Sequence, residues 1–394
     1  MSHLNPSSTT IGYCTNVHAG VDLSSICNNL DEFAVPARDA SGADELGVGL
    51  WIPAQAAGEL TNSVANFSKF LTERRLRAFT INGFPFDNFH QPVVKYAVYK
   101  PTWWQQERLD YTRKLADILA ELLPESEAVG SISTLPIAWA DEHASDENLA
   151  IAGASFRELA AYLQTIEEKQ GKRIVVAIEP EPGCVLDTTQ KVIDWFEQQL
   201  PDKSHRRYLS VCHDICHSSV MMETQQDALS KLAEAGIAIG KVQVSNAIIA
   251  DWHSMAEGRQ REAIAQLSEF AEDRYLHQTG RLKADGSFEL AEDLPQLLRS
   301  AESEQQLACG DQRWVVHFHV PIFLERFGHL RTSQDDTLDC LRFLNQCDSI
   351  EFTGHLEIET YAWTVLPHSM RRRGLSEDIA REIFWLRDVV ADVI

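Results

Sequence analysis

Long apolar runs are missing from this 394-residue chain. No stretch of about 18 apolar residues occurs, which argues against a spanning helix and membrane insertion. The opening MSHLNPSSTT carries neither the basic nor the apolar region of a secretory leader. The expected location is the cytoplasm. Positive charge is scarce too: 35 Lys+Arg face 58 Asp+Glu, a net charge of −23. A nucleic-acid binder carries a basic stripe, so no nucleic-acid partner is expected. A small anion held by a few local cations is not excluded. The eight cysteines include no CxxC pair. Cys212 and Cys216 stand four apart, spaced either for a soft metal site or as small buried filler in a reducing compartment. Internal repeats and low-complexity tracts are absent. No GxGxxG turn follows the first strand-like run, which weighs against an open dinucleotide-binding sheet.

What is present is an alternation of strand-like and helix-like runs from end to end. Hydrophobic residues at 44% and charged residues at 24% fit a globular protein. The expected strands are Ile11–Thr15, Gly47–Ile52, Ala78–Asn82, Gly130–Thr134, Ile174–Glu179, Tyr208–Asp214, Lys241–Ser245, Trp314–Val320 and His355–Tyr361. Helical spacing marks Arg108 to Leu123 and Phe156 to Ile166, and a Ser cap opens a last helix over Ser376 to Val393. Repeated βα units predict a parallel sheet, and about eight of them predict one (β/α)8 TIM barrel over residues 1–394. An open doubly wound sheet is the alternative. One strand exceeds eight. The polar stretch 250–312, with a hairpin-like RLKADGSFEL at 281–290, reads as an insertion between strands seven and eight. Trp314–Val320 is then an added strand or part of the barrel wall.

A barrel site lies where strands end and βα loops begin. Those ends are unusually polar here. IVVAIEPEPG brings Glu179 and Glu181, KVQVSNA brings Gln243, WVVHFHV brings His317 and His319, and HLEIETYAW alternates His355, Glu357, Glu359 and Tyr361 on one side. Barrel strands are buried on both faces and normally read as continuous apolar runs. Ionisable residues at every second position therefore place charge inside. The stretch VCHDICHS adds Asp214 and His217, three residues apart at a strand end. Asp214 there is either a helix cap or one member of a cation site.

Several carboxylates converging without lysine or arginine need a cation or a large set of hydrogen bonds. Hard oxygen donors with one imidazole or amide suit Mn²⁺, Mg²⁺ or Co²⁺, with Zn²⁺ also admitted. The expected divalent-metal ligands are Glu179, Asp214, Gln243 and Glu359, with His319 as the alternative to Gln243. The cation would hold a carbonyl and a neighbouring hydroxyl, while Glu179 and Glu359 pass a proton as catalytic base and acid. That is isomerisation or epimerisation of a sugar-like hydroxy-ketone. His18, Asn82, Glu181, His317 and Glu357 are the candidates for contacting a small polyhydroxylated substrate. For His18 and Asn82 a purely structural hydrogen bond is the other reading.

This strand-end pattern resembles the xylose isomerase-like TIM-barrel superfamily, which includes sugar isomerases, ketose 3-epimerases, inosose dehydratases and apurinic endonucleases. Glu179 matches its Glu after strand five, Asp214 and His217 match its Asp-x-x-His, and Ile358-Glu359-Thr360-Tyr361 matches its run on strand eight. Gln243 stands where the ketose epimerases have a His, a departure. The resemblance implies that His217 contacts substrate. Across the chain, GYCTNVH (12–18), INGFPFDNFH (81–90), VYKPTW (98–103), SISTLP (131–136), HFHVP (317–321) and LEIETYAWTVLP (356–367) resemble the sugar isomerase-like branch of the Ebo-operon metabolite-traffic proteins. That implies a place in processing or traffic of a secondary metabolite.

The loop from Gly83 to Gln105 is long, aromatic and suited to cover a ligand. Lys95 and Lys100 on it either meet a phosphate or carboxylate or stay solvated. Two functions remain in view: a metal-dependent isomerase or epimerase, favoured by the intact carboxylates, and a non-catalytic metabolite-binding protein on the same barrel, favoured by Gln243. An apurinic endonuclease has enough histidines but the wrong net charge. A homo-oligomer is left open.

Overall fold

The computed structural model describes residues 9–303, 307–367, 370 and 373–393. The first eight residues, on which most of the leader reading rests, lie outside the described residues. Seven strands come first: β1 (Thr10–Cys14), β2 (Leu46–Trp51), β3 (Leu76–Asn82), β4 (Val129–Thr134), β5 (Arg173–Ile178), β6 (Leu209–Asp214) and β7 (Ile239–Val244). Six more follow: β8 (Asn246–Ala250), β9 (Thr279–Leu282), β10 (Phe288–Ala291), β11 (Arg313–Val320), β12 (Arg326–Phe327) and β13 (Leu330–Thr332). Last comes β14 (His355–Ile358). Strands β1 to β7 and β14 close into a parallel barrel, β14 sitting between β1 and β7. The open-sheet alternative is thereby excluded.

Local chemistry explains the outer helices. Ser145 accepts a hydrogen bond from Asn148 N and opens the helix Asp146–Gln170, whose first turn holds two acids. Gly171, at φ 69°, ends it in the left-handed conformation that a residue with a side chain resists. The helix Gln106–Leu122 buries Leu109, Leu115, Ile118, Leu119 and Leu122 against the barrel. The strands underneath bury both faces, as parallel barrels require.

The strands between β7 and β14 form a second sheet in the order β10-β9-β11-β8-β13-β12. Trp314–Val320 belongs here, paired antiparallel with β8 and β9, and is not barrel wall. The expected hairpin at 281–290 is the antiparallel β9–β10 pair. The sheet begins at Asn246 and reaches Thr332, so this excursion is longer than 250–312. Its two ends meet at a neck, where Ser333 N donates to Ala247 O and Ala247 N donates to Ser333 Oγ. Among the described residues no helix is long and apolar enough to cross a membrane.

Candidate metal centre and cleft

Strand register sets the first row of polar groups. Gln243 on β7 lies opposite both Asp214 on β6 and Glu357 on β14. Glu359 and Glu179 come just past the ends of β14 and β5. All five are buried.

Glu357 does not reach a ligand space. It pairs with Lys241 of β7, and both side chains are fully buried. Asn82 donates to Glu357 Oε1 at 2.8 Å, and Asn82 Oδ1 accepts from Lys241 Nζ and from Gln243 Nε2, each at 3.0 Å. Gly49 makes this possible, because a Cβ there would fall on the Glu357 carboxylate. The expectation that these carboxylates have no lysine among them thus fails for Glu357. It was an expected substrate contact and is instead a neutralised plug inside the barrel.

Among the described residues Glu179, Asp214 and Glu359 have no such partner. Carboxylate oxygens of the three lie within 4.8 Å of one another. Burial and the neighbouring Asp214 raise Glu179 from 4.5 to about 7, against the pull of His217. Burial, then Glu179 and Asp214, push Glu359 well above the usual carboxylate range. Asn16 holds Glu359 with a hydrogen bond from Nδ2 at 2.7 Å. Burial disfavours the charge on Asp214, but His217, His319 and two hydrogen bonds bring it below its ordinary value. Its Oδ1 accepts from His217 N and Ser245 Oγ, so Asp214 is also a helix cap. Its Oδ2 is buried with no hydrogen-bond partner.

His319 faces that oxygen. Its Nδ1 lies 2.8 Å from the Glu359 carbonyl oxygen, which can only accept, so Nδ1 carries the proton. Burial lowers its pKa to about 4, so the ring is neutral and Nε2 presents a lone pair. Nε2 is buried, unpartnered and 3.9 Å from Asp214 Oδ2. Two buried acceptors facing each other need something positive between them. The donor set of three carboxylates and one imidazole therefore fits a divalent cation. Gln243 fits less well: its Nε2 is tied to Asn82 and it does not line the cleft, although its Oε1 has no partner.

A cleft opens above these groups. It is lined by Asn16, Asn82, Glu179, Glu181, His217, His317, His319 and Glu359 among polar groups. Phe89 from the loop after β3, Tyr275 from the excursion and Tyr361 after β14 pack ring to ring at its wall, with centroids 4.9 to 5.5 Å apart. The loop is fixed, because the buried Arg108 donates to the carbonyls of Gly83, Phe84 and Pro101. Lys95 lines the cleft but is bound to Asp293 at 2.6 Å, and Lys100 pairs with Glu142 at 3.1 Å. His18 is elsewhere: it contacts the Tyr13 hydroxyl and stacks on Phe33. The structural alternative applies to it, and its expected substrate contact is corrected. Asn16 escaped the sequence reading because it sits on the turn Thr15–Val17, off any strand periodicity.

No family model and no curated protein matches the sequence. Solved structures do match in fold. A xylose isomerase-like TIM-barrel protein from Mycobacterium smegmatis, in complex with magnesium, aligns with TM-score 0.54 at 10% identity over 100% of this chain and 99% of its own. The IOLI protein with a bound zinc atom aligns with TM-score 0.49 at 12% identity, over 98% and 99% of the two chains. A xylose isomerase domain protein from Alicyclobacillus acidocaldarius aligns with TM-score 0.48 at 14% identity, over 98% and 99%. The fold of this chain is that of the xylose isomerase-like TIM barrels.

Proposed function

We propose that the chain is a divalent-metal-dependent isomerase or epimerase of a small polyhydroxylated ketone. One observation carries this: carboxylate oxygens of Glu179, Asp214 and Glu359 lie within 4.8 Å of one another at the foot of a cleft, paired to no lysine or arginine among the described residues, and Asp214 Oδ2 faces the lone pair of His319. Glu179, Asp214, His319 and Glu359 would hold the ion. The ion, when bound, supplies polarisation of a carbonyl and so acidifies the adjacent C–H. Glu179 and Glu359 sit on opposite arcs of the barrel and exchange the substrate proton, one removing it and the other returning it. Asn16 keeps the Glu359 carboxylate in place, and Ser245 does the same for Asp214. The aromatic wall of Phe89, Tyr275 and Tyr361 excludes water from the carbon being deprotonated.

The lining supports a neutral substrate. Among the described residues Lys95 is the only lysine or arginine lining the cleft, and Asp293 already engages it. The magnesium complex of the M. smegmatis protein supports the choice of a divalent ion. The resemblance of several runs to the Ebo-operon metabolite-traffic proteins favours a role in processing or traffic of a secondary metabolite. The second reading, a non-catalytic binding protein, is favoured by Gln243 where the epimerases have a His. Exchange of solvent deuterium into ketoses and inososes separates the two. The metal-loaded protein is expected to exchange, and the chelated protein and Glu359→Gln to exchange at least ~10²-fold more slowly. Binding without exchange across that substrate panel would establish the second reading.

A further inference from the structure

The donors of the carboxylate site come from two sheets. Glu359 follows β14 of the barrel, and His319 lies on β11 of the excursion. The hydrogen bond from His319 Nδ1 to the Glu359 carbonyl oxygen, at 2.8 Å, joins them. It turns the lone pair of His319 toward Asp214, so the two segments must keep their spacing for the donors to meet one ion.

A side chain outside the cleft spans the same two segments. Glu382 sits on the helix Leu375–Val393, on the face that buries Ile379, Ile383, Leu386 and Val390. That face calls for an apolar residue. Glu382 is 1% exposed, and among the described residues no lysine or arginine pairs with it. Burial raises its pKa to about 7. A group so placed costs stability unless donors satisfy it. Three do. Thr360 Oγ1 donates to Oε1 at 2.6 Å, Ile322 N donates to the same oxygen at 3.1 Å, and Trp363 Nε1 donates to Oε2 at 3.3 Å. Thr360 is the residue after Glu359, and Ile322 comes three residues after His319. On its other side the Ile322 carbonyl oxygen accepts from Asn246 Nδ2 at 3.0 Å and Gln334 Nε2 at 2.7 Å. A closed ring results, running from Glu359 through Thr360, Glu382, Ile322 and His319 back to the Glu359 carbonyl. An apolar residue at 382 would fill the space but could not tie the segments.

We propose that Glu382 is a positioning residue for the carboxylate site, locking the end of β14 to the end of β11 so that His319 and Glu359 stay at ligand spacing. It does not line the cleft and acts through Thr360 and Ile322. The role rests on the metal reading of that site and gives the last helix a part in it. Outer hydrogen bonds of this kind set the affinity of a metal site from outside it.

The test is Mn²⁺ affinity of the full chain by titration calorimetry. Beside it, long-range ¹H–¹⁵N NMR of ¹⁵N-histidine protein reads the His319 ring in the metal-free state. Thr360→Val removes one donor and leaves the carboxylate. Glu382→Leu removes the acceptor. Each is expected to bind Mn²⁺ ~10–100-fold more weakly, and to share the His319 proton between Nδ1 and Nε2 where the native ring holds it on Nδ1. Glu382→Gln combined with Trp363→Phe keeps an acceptor for Thr360 and Ile322 without setting two donors against each other. It is expected to keep the native affinity, and a loss as large as in Glu382→Leu overturns the lock. A residue that only supports the fold would lower the melting temperature of these variants and leave affinity and tautomer unchanged, which also overturns it. Where Glu382→Leu does not fold, Thr360→Val decides. A native chain that binds no Mn²⁺ removes the metal reading. The His319 ring then decides alone: a shifted tautomer in Thr360→Val upholds the lock, and an unchanged one overturns it.

Discussion

Removing Glu179 should make the metal-free protein more stable, and the effect should depend on pH. A carboxyl held at about 7 in the fold and near 4.5 when unfolded binds more protons folded than unfolded across that window. Stability is therefore lost as pH rises from 4.5 through 7. Fully developed, the loss is about 3 kcal/mol, on the basis of ~1.4 kcal/mol per tenfold. Glu179→Gln removes the charge and should recover that amount above pH 7. Unfolding 394 residues carries an entropy on the order of 0.8 kcal/mol per degree, so the melting temperature should rise by about 4 °C. The assay is thermal unfolding by circular dichroism, in chelator, at pH 5 and pH 8. The variant should gain little at pH 5 and about 4 °C at pH 8. Adding Mn²⁺ should invert the order, since an ion at ~1,000 times its Kd adds about 4.1 kcal/mol to a protein that binds it. If both proteins melt together at pH 8 in chelator, the three carboxylates do not share one space and the reasoning fails.

Lys241→Met should destabilise by about 3–5 kcal/mol, because it leaves Glu357 charged and unpaired inside the barrel. The double variant with Glu357→Leu should recover much of that in a denaturant-unfolding cycle, and no recovery would mean the two do not act as a pair. Ser245→Ala removes a hydrogen bond to Asp214 Oδ1 without touching the cleft. It should weaken binding of the ion at the carboxylate site by ~10–100-fold in a Mn²⁺ titration, and unchanged affinity would show that Ser245 does not position Asp214.

The parts of the site that follow strand periodicity were legible in the sequence. Glu359, His317 and His319 stand at every second position of runs that are otherwise apolar, and a half-period signal of that kind survives without coordinates. The helix-cap alternative for Asp214 was legible and holds for one oxygen. The other oxygen faces His319. Lys241 was not, because it lies mid-strand and only the register shows that it reaches Glu357. Gln278, bound to His317 and Glu181, was not, because these partners are 39 and 97 residues away. The beginning of the second sheet was hidden for a simpler reason. A single residue, Ser245, separates β7 from β8, so KVQVSNAIIA reads as one strand with no turn in it. Trp314–Val320 resembled barrel wall because all seven of its residues are buried.

The neck at Ala247 and Ser333 has a consequence for how this chemistry is distributed along the gene product. At that point the polypeptide leaves the barrel and returns through two reciprocal hydrogen bonds, so a designer could splice there and keep every wall strand. The shortened chain would still be a barrel of eight strands, yet His317, His319, Gln278 and Tyr275 would all be gone. Scaffold and reactivity are therefore separable by one cut, and the excursion is the half that carries the imidazoles of β11.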